Sequence, residues 1–350
     1  MSKTTTTIWE DILAQVRLNH RDLVRGWFKD LELIGIEQGL VRIRTKNQAQ
    51  ADYLEQHCLG AFTEAAQAAT GRLVAAVFEP EPAPPEEAGG PNGFSRLATG
   101  GLPLNPEYTF EHFVTGPCNR LAHAAAQAVA ADPGRAYNPL FLHGPVGVGK
   151  THLLQAITHE LRHRHPNLRC HYISCETFTN DFIEAVEQGA LHQFRFRYRH
   201  VDLLVIDDIQ FLAERERSQE EFFHTFNTLH QSQRQIVLSA DCSPAEIPSL
   251  EERLVSRFNS GLVARMDSPC LETRMAIVRS KARLRCIEVP EEVVRLIASR
   301  VDTNIRELEG ALIKIDALSQ TRSAPIDEAL AREALALTPP RTVKIPTILE

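Results

Sequence analysis

The stretch Leu140-Phe-Leu-His-Gly-Pro-Val-Gly-Val-Gly-Lys-Thr-His-Leu-Leu-Gln-Ala156 decides how the rest of this chain is interpreted. Its apolar start, Leu140–Leu142, predicts a buried strand, and its end carries apolar residues at helical spacing. The glycine-rich loop between them fits the phosphate-binding pattern G-x-x-x-x-G-K-[ST]. Because this pattern requires a strand before it and a helix after it, the stretch predicts a nucleotide site.

The residue types of this loop suit phosphate chemistry. Glycines let backbone N–H groups surround a phosphate, and the helix that follows adds the positive end of its dipole. Lys150 can reach the β- and γ-phosphates, and Thr151 can hold Mg²⁺. We therefore predict a nucleotide with Mg²⁺, bound by the loop residues Gly144, Gly147, Gly149, Lys150, Thr151 and His152.

A second acidic motif ends the strand-like run Val201-Asp-Leu-Leu-Val-Ile-Asp-Asp-Ile209. A buried parallel strand brings carboxylates to its C-terminal edge, beside the phosphate loop. We predict that Asp207 holds Mg²⁺, directly or through water, and that Asp208 orients or activates the attacking water. The alternative for both aspartates is a helix-capping or turn role.

Strands and helices alternate over residues 107–268, which predicts an α/β domain with a parallel sheet. The run Gln235-Ile-Val-Leu-Ser-Ala-Asp241 would be another buried strand, with Ser239 and Asp241 near the γ-phosphate. Residues 269–337 predict a small subdomain of helices only. Its helices are expected at 271–284, 290–301, 304–320 and 325–335.

Residues 1–78 predict a small α+β domain. Helical patterns surround Trp9, cover Leu23–Phe28 and fill 47–70, and strand patterns occur at 40–44 and 73–78. Trp9 is interpreted either as a core anchor or as part of a protein-docking surface. Residues 79–106 contain seven prolines and five glycines, which predicts a disordered, flexible linker.

Composition limits the function classes. The net charge of −7 excludes a global nucleic-acid footprint, so any such surface must be local. The seven cysteines form no C-x-x-C motif, and no signal segment or long apolar run occurs, which predicts a soluble cytoplasmic protein. A run of alternating basic and aromatic residues, Phe194-Arg-Phe-Arg-Tyr-Arg-His200, ends a predicted helix at 177–199. It is interpreted either as a solvated helix end or as an edge that faces DNA or a neighbouring subunit.

Several longer stretches resemble the DnaA family of bacterial chromosomal replication initiators, within the AAA+ ATPases. They are Tyr108-Thr-Phe-Glu-His-Phe-Val114, Asn138–Leu142, Gly144–Leu153, Leu204-Val-Ile-Asp-Asp-Ile-Gln-Phe-Leu212, Glu216–Asn227, Arg253–Phe258 and Asn304–Leu312. The resemblance implies ATP or ADP as the nucleotide and an AAA+ P-loop parallel sheet followed by a helical lid.

The resemblance also assigns roles within the ATP site. Residues from Tyr108 to Val114 would form the adenine side of the pocket. Arg257 would be an arginine finger that reaches the γ-phosphate on a neighbouring subunit, and Arg306 would be the lid arginine that contacts nucleotide in its own subunit. A guanidinium offers a fixed fork of donors to phosphate oxygens. The alternative for each is an ordinary ion pair, which for Arg306 would be intrahelical, with Glu307 or Glu309.

Partners follow from the same resemblance. Single-stranded origin DNA would contact Ile183, Arg215 and Arg217, although Ile183 alternatively suits core packing. Trp9 matches a self-association position, and Asp22 and Leu23 match positions that dock the replicative helicase. Acidic membrane phospholipids would be a further partner, and no small-molecule substrate beyond ATP is implied.

The implied function is an ATP-dependent initiator of chromosomal replication with a slow ATPase that acts as a switch. Its ATP form would assemble head to tail on the origin, open the DNA and help load the helicase. Residues 338–350 resemble the start of a helix-turn-helix domain that binds duplex origin boxes, and we expect that domain to be cut short. The alternatives are a regulatory paralogue that promotes hydrolysis on a full-length initiator, and a helicase loader.

Overall fold

The computed structural model describes residues 5–37, 39–81, 102–302 and 304–336. The chain divides after Asp267 into two compact units. The interior of the predicted linker and residues 338–350, assigned to a further domain, lie outside the described residues.

A small α+β module comes first. Its elements are α1 (Thr5–Asn19), β1 (Glu32–Glu37), β2 (Leu40–Thr45), α2 (Gln48–His57), α3 (Leu59–Thr70) and β3 (Ala75–Pro80). Strand β2 is central, antiparallel to β1 and parallel to β3. The core is built from fully buried residues such as Ile12, Phe28 and Phe62.

One helix prediction in this module is wrong in detail. The stretch Leu23–Phe28 is not an α-helix, because it is split between two 3₁₀ turns, Arg21–Leu23 and Gly26–Asp30, with Val24 extended between them. A β-branched residue and a glycine lower helix propensity there, and tertiary burial of Trp27 and Phe28 accounts for their spacing. Strand β1 had no predicted counterpart, and residues 47–70 form two helices that part at Cys58.

The α/β body contains five strands. Its elements are α4 (Arg120–Ala131), β4 (Leu140–His143), α5 (Lys150–Arg164), β5 (Cys170–Ser174), α6 (Cys175–Glu187), α7 (Leu191–Arg199), β6 (Leu203–Asp207), α8 (Glu216–Gln231), β7 (Gln235–Ala240), α9 (Glu252–Phe258) and β8 (Leu262–Arg265). The strand order is β5-β6-β7-β4-β8, and every neighbouring pair is parallel. The predicted parallel sheet is therefore confirmed.

Apolar clusters cover both faces of this sheet. One cluster joins α4 and α5 to the sheet through residues such as Val129, Leu154 and Ile157. The other joins α6 to α9 through residues such as Phe178 and Phe226. Since β4 lies inside the sheet, the loop after it opens at the C-terminal edge of the strands, where α/β sheets bind ligands.

Three boundaries in the body differ from the sequence prediction. The helix predicted at 177–199 breaks into α6 and α7, because Gly189 adopts a φ of 66°. Residues 102–106 pack on the body although they were assigned to the linker, with Leu104 only 4% exposed. The short strand β8 had no predicted counterpart, since four residues carry little periodicity.

The second unit is helical, as predicted. Its helices are α10 (Leu271–Leu284), α11 (Glu291–Arg300), α12 (Ile305–Arg322) and α13 (Glu328–Ala336). Asn304 caps α12 by accepting a hydrogen bond from the backbone N–H of Glu307. No helix in the described ranges has the length and hydropathy that crossing a membrane requires.

Candidate nucleotide-binding site

The glycine loop has the backbone that its sequence predicts. Gly144, Gly147 and Gly149 have φ values of 151°, 78° and 104°. A Cβ at Gly144 would lie 2.0 Å from the carbonyl oxygen of Met266, a distance that no real contact allows. Glycine is therefore required at position 144 by its neighbour and by its own φ, before any ligand is considered.

Lys150 is the first residue of α5, and its side chain is buried. Its ammonium donates to the carbonyl oxygens of Gly144 (2.7 Å) and Pro145 (3.0 Å) and to Oδ1 of Asp241 (2.8 Å). The structure thus brings together Lys150, at the start of α5, and Asp241, which follows β7. A buried cation within the loop is the feature that phosphate binding needs.

Asp207 ends β6 and is surrounded by hydroxyl groups. Thr151 donates to its Oδ2 at 2.7 Å, Tyr172 donates to the same oxygen at 3.2 Å, and Ser239 donates to Oδ1. The carboxylate is 6% exposed. Burial and the charge of Asp207 raise the pKa of Tyr172 well above its ordinary value, so the phenol stays a donor.

Asp208 lies in a left-handed turn with a φ of 58°. Its backbone N–H donates to Oγ of Ser239 at 3.0 Å, and its Oδ1 accepts from the Gln210 amide at 3.2 Å. Burial and the charge of Asp207 raise the pKa of Asp208. The fully buried hydroxyl of Ser239 bridges the two aspartates, and its place near the γ-phosphate stays a prediction.

The segment assigned to the adenine side packs on α5 through aromatic rings. Tyr108 stacks on His152 with ring centroids 4.8 Å apart, and Nε2 of His152 donates to the carbonyl oxygen of Thr109 at 2.8 Å. Phe113 meets His152 edge-on at 5.2 Å and stacks on His123 at 5.4 Å. These rings lie beside the glycine loop, and their contact with adenine stays a prediction.

Val114 contributes through its backbone. Its carbonyl oxygen accepts from Nδ2 of Asn119 at 3.0 Å, while Oδ1 of Asn119 accepts from the N–H of Gly116 at 2.8 Å. Asn119 is 4% exposed, so this buried amide fixes the turn between the aromatic segment and α4.

These residues fit a magnesium nucleotide. The donor set of Thr151 and Asp207 is the oxygen chemistry that Mg²⁺ prefers, and phosphate oxygens with water would supply its other ligands. Gln210 adds a second indication, because its Oε1 is buried without a hydrogen-bond partner among the described residues while its amide joins Asp208 to Asp241. A buried acceptor of this kind suits a water molecule.

The two predicted phosphate arginines lie on different units. Arg257 is on α9, and within the described residues its guanidinium makes no hydrogen bond or ion pair. Arg306 is exposed on α12. Of its two candidate intrahelical partners, Glu307 accepts from Asn304, and Glu309 pairs with Lys281 and Arg285. Their contacts with nucleotide stay predictions.

The predicted DNA-contact residues are exposed. Ile183, on α6, is 44% exposed, so the core-packing alternative is wrong. Arg215 and Arg217 are exposed at the start of α8. The basic run on α7 is held by the chain itself, since Arg195 and Arg199 pair with Glu221, and Arg197 pairs with Asp181.

Positions assigned to protein partners lie on the first module. Trp9 is half-buried and stacks on Phe62 with centroids 6.5 Å apart, which agrees with a core anchor at the module's edge. Asp22 is exposed and Leu23 is half-buried in the first 3₁₀ turn. Their roles in self-association and helicase docking stay predictions.

Sequence reasoning missed several residues of the site. Tyr172, Gln155 and Gln210 contact the predicted aspartates or their partners, and His123 extends the ring cluster. The only sequence signal for Tyr172 was a polar-tipped aromatic residue within strand β5, two residues before the strand end.

The comparisons with known proteins agree with this geometry. Residues 104–265 match the model of the bacterial DnaA ATPase domain. The chromosomal replication initiator protein DnaA of Deinococcus deserti is 44% identical over 97% of this chain and 77% of its own length. The protein of the same name from Thermus thermophilus is 43% identical over 94% of this chain and 76% of its own length.

Solved structures give the same result. Domain III of the Thermotoga maritima replication initiation protein DnaA has a TM-score of 0.65 and 47% identity, covering 67% of this chain and 98% of that chain. A replication initiator DnaA bound to AMPPCP and single-stranded DNA has a TM-score of 0.58 and 38% identity, covering 63% of this chain and 69% of that chain. Thermotoga maritima RuvB, at 20% identity and a TM-score of 0.52, shares the fold. The chain therefore belongs to the DnaA family of AAA+ ATPases.

Proposed function

We propose that this protein is an ATP-dependent initiator of chromosomal DNA replication, with a slow ATPase that resets a switch. The observation that carries the proposal is the convergence of Lys150, Asp207 and Asp208 at one edge of the sheet. Relatives named as chromosomal replication initiators align over 94–97% of the chain, which supports an initiator over a regulatory paralogue or a helicase loader.

The residues of the site would act through position and charge. Lys150 would exchange Asp241 for the β- and γ-phosphates of ATP. Mg²⁺, held by Thr151 and Asp207, would offset the negative charge of those phosphates. Asp208 would accept a hydrogen bond from the attacking water, with the Gln210 amide fixing the carboxylate.

Assembly would depend on ATP because one phosphate contact comes from a neighbouring subunit. Arg257 has no partner within the described residues, so it is available to reach a γ-phosphate in trans. A contact between unlike surfaces that does not close into a ring generates an open helical filament. Arg306 would contact nucleotide from the helical unit of its own chain.

The filament would bind single-stranded origin DNA through an exposed set on the α/β body. Ile183 offers an apolar contact to a base, and Arg215 and Arg217 offer charge to the backbone. The solved relative with AMPPCP and single-stranded DNA supports this pairing of ligands. The replicative helicase, acidic phospholipids and duplex origin boxes stay predictions from the resemblance.

The test is fluorescence anisotropy of a labelled single-stranded oligonucleotide, titrated with protein in ATP and in ADP. We expect tight, cooperative binding in ATP only, and we expect Lys150→Ala to abolish it because the nucleotide no longer binds. Ile183→Asp should weaken binding while ATP affinity stays unchanged. Equal binding in both nucleotides, or none in either, would refute the switch and favour the regulatory paralogue.

A further inference from the structure

Tyr172 is placed on β5 so that its hydroxyl meets the acidic motif of the neighbouring strand. In the parallel ladder, Ser174 pairs with Asp207, and Tyr172 pairs with Val205 two residues earlier. The ring is 3% exposed within the apolar cluster that joins α4 and α5 to the sheet. Its hydroxyl donates to Oδ2 of Asp207 at 3.2 Å, the same oxygen that accepts from Thr151.

A second side chain holds this hydroxyl in place. Nε2 of Gln155 donates to the Tyr172 oxygen at 3.2 Å, so the phenol accepts one hydrogen bond and donates another. Gln155 lies on α5, five residues after Lys150, and is 6% exposed. Because each group in the relay is buried and satisfied, the direction of every hydrogen bond is fixed.

The relay continues to the segment that begins the body. Oε1 of Gln155 accepts from the backbone N–H of Asn105 at 2.7 Å, and the carbonyl oxygen of Asn105 accepts from Nε2 of His159 at 2.9 Å. The N–H of Leu102 also donates to the carbonyl oxygen of Tyr172 at 2.9 Å. This segment is therefore bonded directly to the backbone of Tyr172 and, through Gln155, to its hydroxyl.

We propose that Tyr172 is a positioning residue for magnesium nucleotide, which orients Asp207 through its hydroxyl and is itself held by Gln155 and the 102–105 segment. The inference rests on the proposed ATP site and extends it by one residue that sequence reasoning had not assigned. Groups that hold a metal-binding carboxylate change metal affinity without touching the metal. Since the ring is enclosed in the apolar cluster and its hydroxyl contacts Asp207 and Gln155, its contribution should appear only when Mg²⁺ is present.

The experiment measures thermal stabilisation of the full chain by AMPPCP as Mg²⁺ is titrated, with a parallel series in EDTA. Outer partners of metal ligands contribute roughly 10–100-fold to metal affinity. Thr151 and Ser239 still hold Asp207 in Tyr172→Phe, so we expect the lower end, a rise of about 10-fold in the half-maximal Mg²⁺ concentration. The stabilisation by AMPPCP in EDTA should match the wild type.

Tyr198→Phe is the matched control. Tyr198 is also fully buried, and its hydroxyl donates to Asp181 at 2.6 Å, away from the nucleotide loop. This variant loses one part-buried phenol–carboxylate hydrogen bond and should keep the wild-type Mg²⁺ midpoint. Gln155→Leu retains the Tyr172 hydroxyl but removes its support, and we expect an increase in the midpoint smaller than that of Tyr172→Phe.

Two results would overturn the proposal. The first is an unchanged Mg²⁺ midpoint in Tyr172→Phe, and the second is an equal loss of AMPPCP stabilisation with and without Mg²⁺, which a packing defect would produce. An unchanged Mg²⁺ midpoint in Gln155→Leu would refute the part of the proposal in which Gln155 and the 102–105 segment hold Tyr172. Failure of the wild type to bind AMPPCP at all, with Lys150→Ala indistinguishable from it, would refute the proposed function instead.

Discussion

Replacing Glu221 by glutamine should lower the unfolding free energy of the α/β body, by an amount that depends on pH. Glu221 lies on α8 with its side chain 5% exposed, between two arginines of α7. Nε and Nη2 of Arg195 lie 3.1 and 2.8 Å from its oxygens, and Nη2 of Arg199 lies at 2.5 Å. The carboxylate therefore joins α7 to α8 by charge as well as by packing.

The magnitude follows from the exposure of the two arginines. A fully buried pair costs about 3–5 kcal/mol to break, whereas an exposed pair contributes about 0.2–1 kcal/mol. The side chain of Arg195 is 48% exposed and that of Arg199 is 21% exposed, so solvent screens the first more strongly. Because glutamine keeps one acceptor oxygen, we expect a loss of about 1.5–2 kcal/mol in unfolding free energy.

The sign of the pH dependence is fixed by the direction of the pKa shift. Burial alone would raise the pKa of Glu221, but hydrogen bonds from Arg195 and Arg199 and their charges hold it below its ordinary value of 4.5. The carboxylate therefore stabilises the fold fully above pH 4.5, and this stability is lost as pH falls through the lower, folded-state pKa. The difference in unfolding free energy between the wild type and Glu221→Gln should therefore decrease as the pH falls below 4.5.

The assay is urea unfolding followed by far-UV circular dichroism from about pH 7 to about pH 3, with tryptophan fluorescence recorded in parallel. Both tryptophans, Trp9 and Trp27, lie in the first module, so their transition is an internal control that Glu221→Gln should leave in place. Glu160→Gln, which removes an exposed pair with Arg164 on α5, is the matched variant and should cost less than about 0.5 kcal/mol. Equal costs for the two variants at pH 7 would refute the reasoning.

Three further predictions concern the nucleotide site. Ser239→Ala removes the hydroxyl that joins the two aspartates. ATP hydrolysis should slow by about 10–100-fold, which corresponds to a charged hydrogen bond of about 1.5–3 kcal/mol, while ATP affinity in EDTA is retained. Loss of both hydrolysis and affinity would contradict this prediction. Gly144→Ala should lower the unfolding free energy, measured by urea titration, by about 1–3 kcal/mol. Gly310→Ala, in an open helical position, should raise it by about 0.5–1 kcal/mol. A change of the same sign in both variants would contradict the steric argument. Arg257→Ala should abolish ATP-dependent assembly, measured by light scattering, and should leave ATP affinity intact. The control variant Arg300→Ala should assemble normally. Assembly of Arg257→Ala in ATP would refute the arginine-finger assignment.

The sequence predicted the elements whose pattern is local. The loop at 144–151, the strand that ends at Asp207 and the helix at 271–284 each carry their own signal, and the structure contains all three. The helix predicted at 177–199 failed at a glycine that adopts positive φ, a signal that was present in the sequence. Strand β8 is only four residues long, which is too short for a periodic pattern.

The side-chain network of the site could not be predicted in this way. Whether Tyr172 reaches Asp207 depends on the register between β5 and β6, and no residue within either strand states that register. Ser239 illustrates the same difficulty, because its position near the end of β7 was predicted but its hydrogen bonds with Asp207 and Asp208 were not. The direction of such a side chain depends on the neighbouring strands, whose residues are far apart in the sequence.

The left-handed turn at Asp208 restricts the choice of acid at this position. For ordinary side chains this backbone region costs about 1–2 kcal/mol, and short residues such as aspartate and asparagine reduce that cost by bonding locally. A glutamate would carry the same charge but would lack this local compensation, so the turn favours the shorter acid on conformational grounds. Asparagine at position 208 would keep the turn while removing the charge, which makes Asp208→Asn the substitution of choice for trapping the protein with ATP bound.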